Sequence, residues 1–315
     1  MVSGVLALSL LLAAAMADAT WLREALVQAA VDGQELAGSA CLRVEAPTAA
    51  QFLRDFVLPN KPCVVNGLMS EWPAMRKWTR KGYLTSKLGD KRVSINVTPN
   101  GRGDAVTGDG FFAMPEERSM RFEEFLAKLG DRDGDEVHYL SHQNDNLREQ
   151  IGVALFEDVP ASIGFVDEAL GCAPDAVNFW MGDARAVTTL HKDHYENIYC
   201  VVQGCKHFTL YPPAALPLLY PAHYTPKSYS KESGQWKLVD SVFDTPGATR
   251  PWISVDPQNP DYEKYPLFQH AVPTRVQVRA GELLYLPALW FHQVAQEDGT
   301  IAVNYWYDMV YGDHT

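Results

Sequence analysis

From Ala176 onward the chain changes rhythm, from helical spacing to short runs rich in aromatic and β-branched residues. AVNFWMG, the stretch around TTLHKDHYENIYCVVQGCKHFTLYPP, TRVQVRAGELLYLP and TIAVNYWYDM each have the length and patterning of a buried or half-buried strand. Within the second of these, Gln203-Gly204 reads as the turn of a hairpin. Between that hairpin and Thr274 lies a segment rich in Pro, Tyr and Ser, read as a long functional or partly disordered loop.

The part before Ala176 mixes helices with isolated strands. Leu22, Ala25, Leu26 and Ala29 follow helical spacing. A short helix around Phe52 to Phe56 gives way at Pro59 and Pro62 to a strand at Cys63 to Asn66, left at Gly67. A helix is expected near Lys81 to Leu88 and an alternating strand over Val93 to Thr98, with turns at Asn100-Gly101 and Gly103-Asp104. MRFEEFLAKLGD is an amphipathic helix stopped at Gly130, and VHYLSHQ a strand. Helices followed by many short strands predict an α+β protein with a β-sandwich or barrel core over about 176–310. The change near residue 175 is compositional, and one domain over 16–312 is expected.

Composition narrows the function classes. The chain has 315 residues, 47% of them hydrophobic, enough for a large core. A net charge of −12 argues against nucleic-acid binding, which needs clustered Lys and Arg, and suits a basic protein or peptide partner. The cysteines, Cys41, Cys63, Cys172, Cys200 and Cys205, are odd in number and irregularly spaced, without CxxC; this fits reduced core thiols better than a disulfide framework or zinc knuckle. The apolar run in MVSGVLALSLLLAAAMADA is too short to span a bilayer. It has an Ala-x-Ala at Ala17 to Ala19 but no preceding Lys or Arg. Residues 1–15 are therefore expected to be an extension upstream of Met16 in a cytoplasmic protein, nuclear residence left open. A secretory signal over 1–19 is the alternative.

The candidate chemistry lies in the second of the strand runs. His191 and Asp193 form a His-x-Asp pair, and His292 lies downstream in GELLYLPALWFHQVA. Two imidazoles and one carboxylate on one metal leave half an octahedron open, the arrangement of non-haem Fe(II) oxygenases. If the strand begins that early, His191, Asp193, Tyr195 and Asn197 share one face, and Ile198, Cys200 and Val202 take the other. His194 falls opposite the ligands. A lone His-x-Asp is equally the mark of a hydrogen-bonded surface histidine at a strand end.

Lys206 interrupts an apolar strand with Phe208 and Leu210 beyond it. It is either an outward-facing strand lysine protecting an edge or a buried cation awaiting an anion. 2-Oxoglutarate, which chelates iron through its 1-carboxylate and 2-oxo groups, would supply one with its far carboxylate. Thr188 could add a hydroxyl there. Asn304, between Val303 and Tyr305, is either a core amide satisfied by backbone or a partner for that cosubstrate or an iron-bound water. The same triad around another divalent ion with a water suits a peptidase. Glu196, the nearest candidate base for that reading, alternates onto the opposite face. A non-catalytic domain of the same fold, used for binding, is the remaining reading.

In DAVNFWMG, AVTTLHKDHYENIYCVVQGCKHF, RAGELLYLPALWFHQV and IAVNYWYDM, and more thinly in KPCVVNGLMSEWPAM and VSINVTPNGRGDAV, the chain resembles the JmjC (jumonji) oxygenases of the cupin superfamily. It looks most like their small lysyl hydroxylases, over roughly residues 16 to 312. The resemblance implies a double-stranded β-helix core, Fe(II), 2-oxoglutarate and O2. It makes His191, Asp193 and His292 the metal ligands. Lys206, Thr188 and Tyr139 would bind the far carboxylate, with Asn197 and Asn304 beside the iron-bound end of the cosubstrate. It also implies (3S)-lysyl hydroxylation of developmentally regulated GTP-binding proteins of the translation machinery, with lysine demethylation or peptide cleavage as alternatives. Family members continue into C-terminal helices that support dimers; this chain ends at Thr315, and a dimer is left open.

Overall fold

The alternating segments after residue 175 become two facing sheets. In the computed structural model, which describes residues 2–131, 134–242, 244–245 and 247–309, with side chains from Thr20 onward, these segments supply the central strands. They are β1 Ala176–Gly182, β2 Val187–Lys192, β3 Tyr195–Gln203, β4 Cys205–Tyr211, β5 Thr274–Arg279, β6 Leu283–Leu286, β7 Phe291–Gln296 and β8 Ile301–Asp308. One sheet runs β6-β3-β8-β1 and is extended by the strands Cys63–Asn66 and Leu42–Glu45 on one side and Val137–Leu140, Arg92–Thr98 and Glu116–Arg121 on the other. The smaller sheet runs β5-β4-β7-β2 and ends on Arg102–Gly103. Apart from β4 and β5, which pair within the smaller sheet, successive strands alternate between sheets, the double-stranded β-helix the resemblance implies. The expected ends at 310 and 312 lie outside the described residues.

Period-two alternation decides what each face of the larger sheet buries. Tyr199 and Val201 on β3 and Ala302 on β8 point between the sheets, where Phe208, Leu210, Val276, Val278 and Val294 meet them. Ile198, Cys200, Val202, Val303 and Tyr305 point outward onto a second core with Phe52, Trp78, Phe122 and Phe125 from the N-terminal part. Each Val, Leu, Ile or Phe so buried contributes about 1.5–3 kcal/mol. Both faces are covered, which is why β1 reads as a continuous apolar run rather than an alternating one.

Expectations about pairing and element bounds change in the structure. β3 and β4 follow one another through Gln203-Gly204 but do not pair: β3 lies between β6 and β8, and β4 between β5 and β7. The turn is a crossing between sheets, because alternation reports faces and not partners. The Pro- and Tyr-rich segment contains a long antiparallel pair, Pro221–Glu232 with Gln235–Asp240, and the strand Arg250–Ile253. The helix near residue 81 begins only at Tyr83, after left-handed Gly82.

The N-terminal helix runs Val2–Ala37. Its expected apolar face is largely solvent-facing, with Leu22 and Leu26 52% and 45% exposed; among the described side chains of the helix Ala30 and Gln34 are buried. Gly33 permits that contact, since a Cβ there would sit 2.3 Å from the Ala214 Cβ. Gln34 then bonds the chain on both sides, donating to the His270 carbonyl and accepting from the Val272 amide. No helix among the described residues is long and apolar enough to cross a membrane.

Gly204 makes the sheet crossing. Its φ is +76°, and a Cβ there would lie 2.4 Å from Thr300 Oγ1 and 2.9 Å from Thr300 Cα. Gly204→Ala therefore combines a left-handed backbone with a clash and should destabilise the protein by about 1–3 kcal/mol. Urea unfolding measures this; an unchanged midpoint would show that the crossing has slack.

Candidate active site

The site sits between the sheets, where β2 and β7 run side by side. Their register sets His191 opposite His292, with ring centroids 4.2 Å apart. Asp193 lies just past the end of β2, where the chain turns into β3, and its carbonyl accepts from the Leu289 amide at 2.9 Å. The strand expected to carry His191, Asp193, Tyr195 and Asn197 in one line is thus broken at a corner, and the His-x-Asp pair meets across it. Asp193 Oδ2 is 3.7 Å from His191 Nε2 and 3.5 Å from His292 Nε2. The three ligand atoms lie within 4.8 Å of one another. His194, in the same turn, is exposed.

Backbone carbonyls orient both imidazoles. His191 Nδ1 lies 2.7 Å from the Thr189 carbonyl oxygen and His292 Nδ1 3.0 Å from that of Trp290. A carbonyl only accepts, so each Nδ1 carries a proton and donates to it, and each Nε2 faces Asp193. His191 also stacks on Trp252 at 5.7 Å and 6°. Burial alone would raise the Asp193 carboxyl, but the histidine charges and hydrogen bonds outweigh it and hold it far below the usual range. Burial opposes charge on His191, yet Asp193 raises it above its ordinary value. His292 is lowered by burial and by His191.

Lys206 is buried on β4, 1% exposed. Its ammonium donates to the Tyr139 hydroxyl at 2.8 Å and to Gln296 Oε1, and lies over the Tyr139 and Tyr199 rings. All of these partners are neutral, and burial pushes its pKa down to about 7. Tyr139 comes from the strand Val137–Leu140, opposite Gly182 on β1; a Cβ on Gly182 would lie 2.4 Å from its ring. Thr188 and Tyr199 line the same cavity as Tyr139. Tyr139, Thr188, His191, Asp193, Asn197, His292 and Asn304 line one inner cavity.

Asn304 and Asn197 meet there: Asn304 Nδ2 donates to Asn197 Oδ1 at 3.0 Å, and Trp180 Nε1 donates to Asn304 Oδ1 at 2.8 Å. The buried amide is satisfied by side chains rather than backbone. Sequence reasoning missed Trp180 and Gln296. Both carried a signal, since Gln296 is four residues beyond His292 on one strand, hence on the same face, and Trp180 is an indole inside a buried strand. Glu196 points away, accepting from the Tyr285 hydroxyl at 2.7 Å and the Ala288 amide at 3.2 Å. It cannot serve as a base at the triad from that position.

The inner cavity shares Tyr139, Trp180 and Thr188 with a cleft of about 600 Å³ that opens to solvent. Asp104, Met114, Glu116, Glu117 and Tyr229 are among its lining residues. Burial pushes the Asp104 carboxyl up, opposed by the charges of His191 and Arg250. The result is an acidic approach to a site with two imidazoles, a carboxylate and a buried cation.

A family model of the cupin-like domain matches residues 49–313. Over 267 residues the chain is 46% identical to the bifunctional peptidase and (3S)-lysyl hydroxylase of Homo sapiens, covering 84% of this chain and 83% of that protein. It is 43% identical over 279 residues to a lysine-specific demethylase of Arabidopsis thaliana, covering 84% and 80%. A JmjC domain-containing protein of Dictyostelium discoideum is 37% identical over 298 residues, covering 86% and 84%.

Proposed function

The chain belongs to the cupin-like JmjC family, and we propose that it works there as an Fe(II)- and 2-oxoglutarate-dependent protein hydroxylase. Its substrate in this reading is a lysine of a protein or peptide, oxidised at C3, in a translation-associated GTPase. His191, Asp193 and His292 would hold the iron. Lys206, Tyr139 and Thr188 would take the far carboxylate of 2-oxoglutarate, and Asn197 and Asn304 would lie beside its chelating end.

The observation that carries this reading is Lys206. A buried ammonium with only neutral partners is costly, and this one bonds Tyr139, which lines the cavity that also holds the triad. A dicarboxylate would satisfy both ends. When bound, the iron and 2-oxoglutarate supply O2 activation for oxidising an unactivated C–H bond, with succinate and CO2 as coproducts. The chain's own residues orient and enclose. Two carbonyl-held imidazoles would orient toward the metal, the Tyr139–Lys206–Gln296 cluster would hold the cosubstrate's far carboxylate, and Trp180 and Trp306 line the cavity and would limit its access to water. The Asp104 end of the cleft suits a cationic side chain.

Mass spectrometry of a lysine-containing GTPase peptide incubated with the protein, Fe(II), 2-oxoglutarate and O2 tests the reading. The expected result is a gain of one oxygen, dependent on 2-oxoglutarate. The name of the Arabidopsis relative favours demethylation as the second reading. Loss of a methyl group from a methylated peptide, without oxygen gain on the unmodified one, would establish it in place of hydroxylation. Cleavage without 2-oxoglutarate would establish the peptidase. The described side chains leave all five cysteines as free thiols, which supports a cytoplasmic setting for one oxygenase domain over 16–312.

A further inference from the structure

On the outer face of the smaller sheet, β4 carries a second set of metal-type ligands. We infer that Cys205, His207 and Glu297 form a site for a borderline-soft divalent cation of the Zn²⁺ or Co²⁺ class, separate from the triad. Cys205 and His207 are two apart on β4 and share a face, while Lys206 between them points into the sandwich. Glu297 follows β7, and its amide donates to the Cys205 carbonyl at 3.0 Å. Lys206 pairs with Gln296 and His207 with Ala295 in the same ladder. The register therefore brings the three side chains together. His207 Nε2 lies 3.4 Å from Glu297 Oε1, and one ligand atom from each of the three residues falls within 4.8 Å of the others.

The backbone under this set is braced. Thr300 Oγ1 accepts from the Cys205 amide at 3.2 Å and donates to its carbonyl at 3.1 Å. Cys205 is 4% exposed, whereas the His207 and Glu297 side chains are 37% and 59% exposed. An ion would thus enter from solvent past the imidazole and carboxylate and reach the thiol beneath. A thiolate, an imidazole and a carboxylate together select Zn²⁺ or Co²⁺ over Mg²⁺ and Ca²⁺, and three protein ligands leave a fourth tetrahedral position for water. Binding displaces the thiol proton into solvent, so affinity rises with pH.

Co²⁺ titration of the full chain under anaerobic conditions distinguishes this site from the triad, which has no sulfur. The expected spectrum has a near-ultraviolet thiolate-to-cobalt band that persists in Asp193→Ala, saturating there at one equivalent, and vanishes in Cys205→Ser. His207→Ala and Glu297→Gln, at exposed side chains, should weaken that band's affinity at least as much as the roughly 10- to 100-fold that losing an outer partner costs. They keep the test decisive if Cys205→Ser fails to fold. No thiolate band in the wild-type protein overturns the assignment. So does a band untouched by His207→Ala and Glu297→Gln, which would belong to another cysteine.

Discussion

Asp193→Ala is expected to lower hydroxylated product by more than about a hundredfold, since even outer-shell partners of a metal ligand are worth roughly 10–100-fold. The geometry explains why this single change is so severe. His191 and His292 turn their Nε2 atoms toward the same small space, and Asp193 Oδ2 lies 3.5–3.7 Å from both. Removing the carboxylate leaves the two imidazoles without the group they share and deletes the anionic member of the proposed triad. The fold should survive, because the corner is held by a backbone bond from Leu289 to the Asp193 carbonyl, which alanine keeps. His194→Ala, one residue on and exposed, should leave turnover unchanged. Equal activity in wild type and Asp193→Ala, measured as oxygen incorporation under matched iron, would remove Asp193 from the site.

Lys206→Met should have effects of opposite sign on cosubstrate affinity and stability. Losing one partner of a buried charge pair costs about 2–5 kcal/mol, so affinity for 2-oxoglutarate should fall roughly 30- to 5,000-fold. The free protein, by contrast, should gain stability near and below neutral pH, because methionine removes a charge with only neutral partners. The pH dependence follows from a pKa lowered to about 7 from 10.5. Between those values the unfolded chain holds a proton that the folded chain has released. Folding stability attributable to Lys206 therefore rises with pH across that window, and its charge costs the free fold most below pH 7. An anionic cosubstrate reverses the preference, drawing the proton back. Affinity for 2-oxoglutarate should fall as pH rises above 7, by at most about tenfold per unit, and this slope should vanish in Lys206→Met. Calorimetry across pH, paired with urea unfolding, reads both. A methionine variant that binds normally, or that keeps the wild-type slope, would place the far carboxylate elsewhere.

Most of the faces were legible in the sequence, and most of the pairings were not. Alternation placed Ile198, Cys200 and Val202 opposite Asn197, as found, because side-chain direction is local to a strand. It could not show that β3 and β4 lie in different sheets, since a glycine turn joins paired and unpaired strands alike. Nor could it show that Asp193 sits at a corner. The triad was nevertheless readable, because a corner and a strand end both leave His191 and Asp193 close. Lys206 was visible as a cation in an apolar run. Its neutral company was not, because Gln296 and Tyr139 reach it from distant segments. The N-terminal helix misled for a related reason: glycine at residue 33 allowed a closer approach than its leucines would have, and packing followed the small residue.

The alternation along β4 has a consequence for how this protein tolerates changes of length. Lys206, Phe208 and Leu210 face inward, and Cys205 and His207 face out. Phe208 and Leu210 are anchored in the core between the sheets. Deleting His207 would leave them in place and slide the residues before them by one position, reversing their faces. The thiol of Cys205 would then occupy the deep end of the cavity, and the ammonium would stand in water. One lost codon would do what no single substitution can, exchanging the faces of the thiol and the ammonium while keeping both residues.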